Sequence, residues 1–306
     1  MVPGYARAVA SGRVVGIVAL CAAAAVVAIV GGTVFLSRHE STQLPGAVTT
    51  PRHGTPVLQL EVDPGTALGR AAKLLNNGQA AAAAAIFRRY TTPEAKLGRA
   101  FAEWTGPESL TGVKAIVAAS PDDPALLLNL GWANFQAGRN ADAASAWQET
   151  ASRFPDSPYA VDALGALYPG VAPGLPPIVV DPAAVPANAR AALVAGITSW
   201  ERKHVVSARR KLDEAARLAP NFPETLVAAA VARFSPDQPR APFPTLGPLS
   251  GRFPHASIVR LHLGEILLWS RQVAKGKEQL RLAVAEQPKS RYAEYARTIL
   301  EALRQK

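Results

Sequence analysis

Four landmarks recur in step along the chain, and their spacing restricts the possible fold more than any other feature. They are a small residue (Gly131, Gly196, Gly264), a second small residue (Ala143, Ala208, Gly276), a large apolar residue (Trp147, Leu212, Leu280) and a proline (Pro155, Pro220, Pro288). Every landmark moves by 65 and then by 68 residues, and 68 is twice 34. Apolar residues recur at helical spacing between breaks that carry Gly, Asn or Pro. The pattern therefore predicts a repeated pair of helices.

The pairs Leu130-Gly131 and Leu263-Gly264, the Ala-x3-large apolar spacing and the closing proline resemble the tetratricopeptide repeat (TPR), which has a 34-residue period. The resemblance implies an all-α, TPR-like solenoid of helical hairpins, in which small side chains let the two helices of a hairpin approach closely. Asn134 stands where the family usually has an aromatic residue, so the chain resembles a degenerate member.

The repeat units alternate between intact and broken ones. We expect the array to cover 65–290 and a capping helix to cover 291–306, closing the apolar end of the array. Interior prolines remove backbone donors and clash with the preceding helical turn. The prolines of two units therefore predict extended loops at 169–186 and 236–256 in place of second helices.

Residues 14–36 form an uncharged apolar run of 23 residues. As a helix it would measure about 34 Å, enough to cross a bilayer core of about 30 Å. The run is too long for the apolar part of a signal peptide, although its small residues could hide a cleavage site. The sequence therefore predicts one transmembrane helix before the solenoid.

The charges that flank this run favour one orientation in the membrane. Arg7 and Arg13 precede it, whereas Arg38 follows it and is partly offset by Glu40. Because positive charge is retained on the cytoplasmic side, we expect residues 1–13 in the cytoplasm and the rest of the chain outside the cell membrane.

A proline-containing linker is predicted at 37–64, where proline favours an extended backbone. Within it, residues 57–62 (VLQLEV) partly alternate like a strand. This short piece either packs on the first helices of the array or has no structural role.

Composition and motifs argue against a reactive centre. With 49% hydrophobic and 18% charged residues, a mainly disordered chain is excluded. Cys21 is the only cysteine, which excludes an internal disulfide and a thiolate-rich metal site. The nucleophile-turn and phosphate-loop signatures are absent from the sequence, so we expect no catalysis, no cofactor and no metal. The alanine-rich, lysine-poor usage is typical of a bacterium of high genomic GC content.

Among the five histidines, only His262 has an acidic neighbour at helical spacing, Glu265. A third metal ligand is not visibly placed, so a surface or groove pair is favoured over a metal site. An alternative of a different class is an enzyme with an unrecognised site near the loop 236–256, where His255 would join His262 and Glu265.

The TPR resemblance implies that the first helix of each pair lines a concave groove. Carried over to this sequence, the groove residues are Leu128, Trp132, Phe135, Leu193, Ile197, Trp200, Leu261, Glu265, Leu268 and Trp269. Their i, i+4, i+7 spacing puts them on one helical face, as an apolar track for an extended or helical peptide. The alternative is that they pack against the neighbouring hairpin or under the proline-rich loops.

The densest basic cluster consists of Arg202, Lys203, His204, Arg209, Arg210 and Lys211. On the second helix of a hairpin it would face outward as an ordinary solvated surface. The alternative is attraction to anionic lipid or cell-wall polymer near the membrane. Nucleic acid is not an expected partner for a domain outside the cytoplasm.

Together these observations predict a single-pass, membrane-anchored scaffold. Its extracytoplasmic array would bind a protein segment in the groove and help to assemble or stabilise an envelope complex. A holdase-like chaperone for exported proteins would use the same apolar strip with less selectivity.

Overall fold

The computed structural model describes residues 52–304, and within them it is an all-helical array. The predicted cytoplasmic tail at 1–13 and the predicted transmembrane helix at 14–36 lie outside the described residues. Fourteen α-helices and two short 3-10 turns are present in 52–304, and that part of the chain contains no β-strand. None of its helices is long and apolar enough to cross a bilayer.

The α-helices are α1 (Ala67–Asn76), α2 (Ala80–Phe87), α3 (Pro93–Ala102), α4 (Leu110–Ala118), α5 (Pro124–Gln136), α6 (Asn140–Arg153), α7 (Pro158–Leu167), α8 (Ala187–Glu201), α9 (Val205–Leu218), α10 (Pro223–Val231), α11 (Phe243–Arg252), α12 (Ser257–Trp269), α13 (Val273–Glu286) and α14 (Arg291–Ala302). The 3-10 turns are Pro107–Ser109 and Pro182–Ala184. The hairpins α5–α6, α8–α9 and α12–α13 are the three units that carry the landmarks.

The small-residue landmarks are the points of closest approach within these hairpins. A Cβ atom added at Gly196 would lie 2.6 Å from Leu212 Cγ, and one added at Gly264 would lie 2.8 Å from Leu280 Cγ. Gly131 is covered in the same way by the indole of Trp147. Contacts this short would force the helices apart, so the predicted packing role of the recurring glycines is confirmed.

The turns of the three hairpins also share one backbone feature. Gly138 has φ 78°, and the corresponding residues of the next two hairpins are Lys203 with φ 60° and Arg271 with φ 58°. The left-handed region is strained for residues with a Cβ atom. The turn geometry is therefore retained in all three hairpins even where glycine is absent.

Polar side chains and prolines start several helices. Asp123 caps α5 by accepting hydrogen bonds from the backbone N–H groups of Ala125 and Leu126 at 2.8 and 3.3 Å. Pro124 follows at the first helical position, where a missing N–H costs nothing. Thr92 and Ser157 cap α3 and α7 in the same arrangement, each followed by a proline.

One of the two predicted loops is wrong. Within 236–256 the chain forms the helix α11, Phe243–Arg252. Pro242 and Pro244 lie at its start, where their missing N–H groups have no helical partner to lose, so only Pro248 is interior. Full burial of Leu246 against the main hydrophobic cluster offsets the cost of that one proline.

The other broken unit has no second α-helix. After α7, residues 169–186 run through the array with a single 3-10 turn, Pro182–Ala184. At the C-terminal end, α14 packs against α12 and α13 in the position expected of a capping helix. The largest hydrophobic cluster runs from this extended segment to α14, and a second cluster joins α1 to α5.

Candidate peptide-binding site

The ten predicted groove residues lie on α5, α8 and α12, and most of them are buried. Leu128, Leu193, Trp200, Leu261, Glu265, Leu268 and Trp269 are at most 2% exposed. Trp132, Phe135 and Ile197 are only partly exposed. These residues therefore do not form an open apolar track. Seven of the ten pack beneath other parts of the chain, as the alternative interpretation predicts.

Two extended segments of the same chain contact the first helices of the repeat units. We call residues 52–62 the N-terminal segment and residues 171–181 the strap. The N-terminal segment makes its hydrogen bonds to α1, α5 and α7. The strap makes its own to α8, α12 and α14. The face predicted to receive a peptide is thus already in contact with extended polypeptide.

Two asparagine side chains clamp the backbone of the N-terminal segment. Asn76 of α1 accepts a hydrogen bond from Leu58 N–H at 2.9 Å and donates one to the Leu58 carbonyl at 2.8 Å. Asn129 of α5 makes the same pair of bonds to Gln59, at 2.9 and 2.7 Å. Because neighbouring residues of an extended chain present their backbone groups in opposite directions, both edges of the segment are satisfied.

Other contacts hold the ends of the N-terminal segment. The amide nitrogen of Gln136 lies 2.9 to 3.0 Å from the carbonyl oxygens of Arg52, His53 and Gly54, which share its two N–H donors. The guanidinium of Arg52 lies 3.5 Å above the Phe135 ring, and it also donates to the Phe135 carbonyl. At the other end, the Tyr159 hydroxyl accepts from Glu61 N–H at 3.0 Å.

The partly exposed groove aromatics form a small cluster beside this segment. The indole N–H of Trp132 donates to the Gln59 side-chain carbonyl at 3.1 Å. Trp132 also makes edge contacts with Phe135 and Trp147, with ring centroids 5.9 and 5.0 Å apart. Trp132 and Phe135 therefore contact the segment and remain partly exposed, whereas Trp147 is buried.

Lys203 ties the N-terminal segment to two neighbouring elements. Its ammonium lies 2.5 Å from Glu61 Oε1 and 2.9 Å from Asp162 Oδ1 of α7. Burial alone would lower the pKa of Lys203, but the two carboxylates outweigh it and raise that pKa. Burial raises the pKa of Asp162, which is a cost that the ammonium reduces. The ion triad is therefore the electrostatic link between segment and array.

The strap is held by hydrogen bonds to α8, α12 and α14. Ala172 N–H donates to the Trp269 carbonyl at 3.1 Å, and the Trp200 indole N–H donates to the Pro176 carbonyl at 2.7 Å. Asp181 N–H donates to the Tyr292 hydroxyl at 3.1 Å. The strap side chains Ile178, Val179 and Val180 are buried in the largest hydrophobic cluster. The strap is therefore part of the core.

His262 and Glu265 form a fully buried pair under the strap, so a surface placement of the pair is wrong and it lies instead on the covered groove face. Val179 N–H donates to His262 Nε2 at 3.0 Å, so Nε2 carries no proton and Nδ1–H donates to the Ile258 carbonyl at 2.8 Å. Burial lowers the pKa of His262 to about 4 and raises the pKa of Glu265 well above its usual value. Burial therefore favours the uncharged form of both side chains.

The structure does not bring the histidines together as an enzyme site would require. His255 is exposed in the turn before α12, whereas His262 and Glu265 are inaccessible to solvent. No group of three or more metal-ligating side chains occurs within 52–304.

The basic cluster is only partly solvated, because three of its members contact other parts of the chain. Lys203 belongs to the ion triad, His204 Nδ1 lies 2.6 Å from the Asp156 carbonyl oxygen, and Arg209 donates to the Ala232 carbonyl at 2.7 Å. Arg202 and Arg210 are exposed. The expected outward orientation therefore holds for these two arginines and fails for Lys203.

Sequence reasoning missed the amide side chains that hold the N-terminal segment. Asn129 and Gln136 are seven residues apart on α5 and, like Asn134 of the same helix, are buried, which is unusual for amide side chains. The seven-residue spacing places both amides on one face of the helix, and this was the sequence feature that could have indicated a polar binding site. Asn76 carries no comparable signal, because it lies at the exposed end of α1.

No protein-family profile matches the chain, and no curated protein matches it. Among solved structures, the TPR2AB domain of yeast Sti1 in its complex with pHSP90 is 14% identical, covers 77% of this chain and 95% of its own, and has a TM-score of 0.33. A TPR protein of Thermus thermophilus is 16% identical, with coverages of 68% and 92% and a TM-score of 0.30. Part of a Cytophaga hutchinsonii TPR protein is 13% identical, with coverages of 75% and 98% and a TM-score of 0.23.

Likenesses this distant carry no argument about function. The class of protein, a TPR-like array of helical hairpins, follows from the hairpins and their close-packed glycines.

Proposed function

We propose that this protein is a membrane-anchored interaction scaffold whose first-helix groove binds an extended segment of a partner protein and so helps to assemble an envelope complex. The observation that carries the proposal is the pair of asparagine clamps, Asn76 and Asn129, closed on consecutive backbone units of an extended chain. Such clamps recognise the backbone itself, and any polypeptide can offer the same donor and acceptor groups.

The number of polar contacts is sufficient for a useful affinity. The two clamps supply four hydrogen bonds, and the two N–H donors of the Gln136 amide supply up to two more, shared among three carbonyls. At a net contribution of about 1 kcal/mol each, such a set gives several kcal/mol before the cost of ordering the peptide is subtracted. Burial of one aliphatic side chain, as at Leu58, adds about 2 kcal/mol.

The site is better suited to one defined partner segment, as in a scaffold, than to many unfolded proteins, as in a holdase. A holdase needs a broad apolar surface, but seven of the ten expected groove side chains are buried here. The site instead offers paired amides, a buried aliphatic position and one ammonium group, which together select conformation and charge.

The membrane anchor remains part of the proposal. Residues 14–36 would hold the array at the membrane, and the predicted orientation would place the array outside the cytoplasm. Because residues 52–62 belong to the folded body, the spacer between the anchor and the array is residues 37–51 and not the whole linker.

Peptide binding in trans tests the proposal. In the test variant, a Gly/Ser linker of equal length replaces the N-terminal segment, and a fluorescent peptide with the sequence of residues 52–62 is added. We expect saturable anisotropy changes, and Asn129→Ala should weaken binding by about tenfold or more because a backbone donor and acceptor lose their partners.

The matched control is Asn188→Ala, since Asn188 is an exposed asparagine on α8. Helical circular dichroism should be the same in all variants. Absence of binding by the folded variant, or equal binding with and without Asn129, would show that the groove is not a peptide site.

A further inference from the structure

The N-terminal segment occupies the site that a partner would need. Leu58 and Gln59 engage all four clamp bonds of Asn76 and Asn129, and Glu61 engages Lys203. A second extended chain cannot form the same bonds until this segment leaves. The site is therefore closed in this structure, and the N-terminal segment must leave before any partner can bind there.

Of the two extended segments, only the N-terminal one is built to leave. The strap buries three consecutive apolar side chains, 178–180, in the largest cluster of the molecule. In the N-terminal segment, only Pro56 and Leu58 are buried, and most of the remaining contacts are polar. Polar contacts exchange readily with water or with an equivalent peptide, whereas exposing a core strap would cost much of the cluster.

The contacts of the N-terminal segment also define what could replace it. Leu58 is 2% exposed and belongs to the cluster that joins α1 to α5, so the site accepts one large aliphatic side chain. Three positions later, the Glu61 carboxylate lies 2.5 Å from Lys203 Nζ. An odd spacing places these two side chains on opposite faces of an extended chain. The groove therefore recognises both faces of its occupant.

The position of Lys203 strengthens the argument that its charge matters. Its backbone has φ 60°, in the turn where the preceding hairpin has Gly138 with φ 78°. Glycine would adopt this conformation without strain. Arg271 has φ 58° at the same position of the third hairpin, so the turn sets this backbone conformation. What distinguishes Lys203 is that its ammonium contacts both Glu61 and Asp162.

We propose that residues 52–62 are a built-in competitor for the groove, displaced by a partner segment that is extended and carries a large aliphatic residue followed three positions later by a carboxylate. This inference rests on the proposed function, since it specifies the regulation and the partner chemistry of the same site. Displacement of the competitor would also free the chain between the membrane anchor and the array, so that partner binding lengthens the spacer.

The test uses the full chain in detergent and a labelled peptide with the sequence of residues 52–62. Leu58→Ser together with Glu61→Gln loosens the competitor without changing any groove residue. Because apparent affinity scales with the fraction of open sites, a rise of that fraction from about 1% to about 10% should tighten peptide binding about tenfold relative to the wild type.

The matched control is Leu282→Ser together with Glu301→Gln, which removes one aliphatic side chain and one carboxylate from exposed positions on α13 and α14. It should bind the peptide like the wild type. A peptide carrying the Glu61→Lys change should bind the loosened chain about tenfold more weakly than the unchanged peptide, because it places a cation beside Lys203.

The outcomes separate this inference from the proposed function. If the wild type and the loosened chain bind the peptide equally and saturably, residues 52–62 do not compete for the groove, although the groove still binds peptide. Binding by neither chain, with helical circular dichroism intact, would overturn both. A loosened chain that forms concentration-dependent dimers and excludes the peptide would assign the site to a second copy of this protein, which also overturns the inference.

Discussion

Replacement of Glu265 by glutamine tests whether the folded chain holds an uncharged carboxylic acid beside His262. Both side chains are buried, with Glu265 Oε2 3.8 Å from His262 Nε2. Among residues 52–304, no hydrogen-bond partner reaches either carboxyl oxygen of Glu265. An ionised carboxylate in such a place would lack all compensation, which is why burial raises the pKa of Glu265 well above its usual 4.5.

The sign of the pH effect follows from counting protons on this pair. The folded pair binds one proton from about pH 4, the pKa of His262, up to the raised pKa of Glu265. The unfolded chain binds one proton between pH 4.5 and 6.5, the unperturbed pKa values of the two groups, and none above. While folded Glu265 keeps its proton, the pair adds no pH dependence to the free energy of unfolding between pH 4.5 and 6.5 and lowers that free energy as the pH rises above 6.5.

Glutamine removes the proton that the folded chain would otherwise retain. In Glu265→Gln the folded pair binds no proton above about pH 4, whereas the unfolded chain keeps the histidine proton up to pH 6.5. The free energy of unfolding of the variant should therefore rise, relative to the wild type, by about 1.4 kcal/mol per pH unit. Between pH 5 and 6.5 this amounts to about 2 kcal/mol, whatever the intrinsic effect of the amide group.

The assay is urea unfolding of the full chain in detergent, followed by circular dichroism at half-unit pH steps. Glu278→Gln, on the exposed face of α13, is the control and should leave the pH profile of the wild type unchanged. Parallel profiles for Glu265→Gln and the wild type across this range would refute the argument, because they would show that Glu265 releases its proton equally in the folded and unfolded chains.

Three further substitutions test the packing that shapes the groove, each by urea unfolding against the wild type. Gly264→Ala should destabilise the α12–α13 hairpin by about 1 to 3 kcal/mol, because the new Cβ atom would lie 2.8 Å from Leu280 Cγ; an unchanged free energy of unfolding would deny the close approach. Trp200→Ala should cost about 3 to 5 kcal/mol, since the indole is 2% exposed; a loss below about 1 kcal/mol would mean that the strap does not cover it. Lys203→Met should cost about 2 kcal/mol at pH 7 and less at pH 4, where Asp162 can take up a proton; a loss independent of pH would argue against the ion triad.

The hairpins could be predicted because their causes are local in sequence. Gly131, Gly196 and Gly264 each meet a side chain sixteen residues later, which is a distance that a repeated pattern makes visible. The error at α11 came from counting the six prolines of 236–256 without their positions, since only Pro248 lies in the interior of the helix. Helix position, not proline number, decides whether a helix can form.

The state of the groove could not be predicted, because its contacts join residues far apart in the sequence. Gln59 meets Asn129 across 70 positions, and Val179 meets His262 across 83. No periodicity relates such pairs, and the polar residues involved are ordinary in a helix or a linker. The tryptophans gave the right face of α5 and α8, but an apolar face is equally compatible with an open groove and with a buried contact.

The proline content of the strap has a physical role in this arrangement. An extended chain that lies over a helical face must find partners for its backbone N–H groups, since helices have used their own. The strap meets this demand with few acceptors: the Trp269 carbonyl, His262 Nε2 and the Tyr292 hydroxyl. Pro176 and Pro177 bring no N–H group into this face, so each removes one demand. The prolines that prevent a second helix after α7 are therefore the same residues that let the chain fill the groove with so few polar contacts.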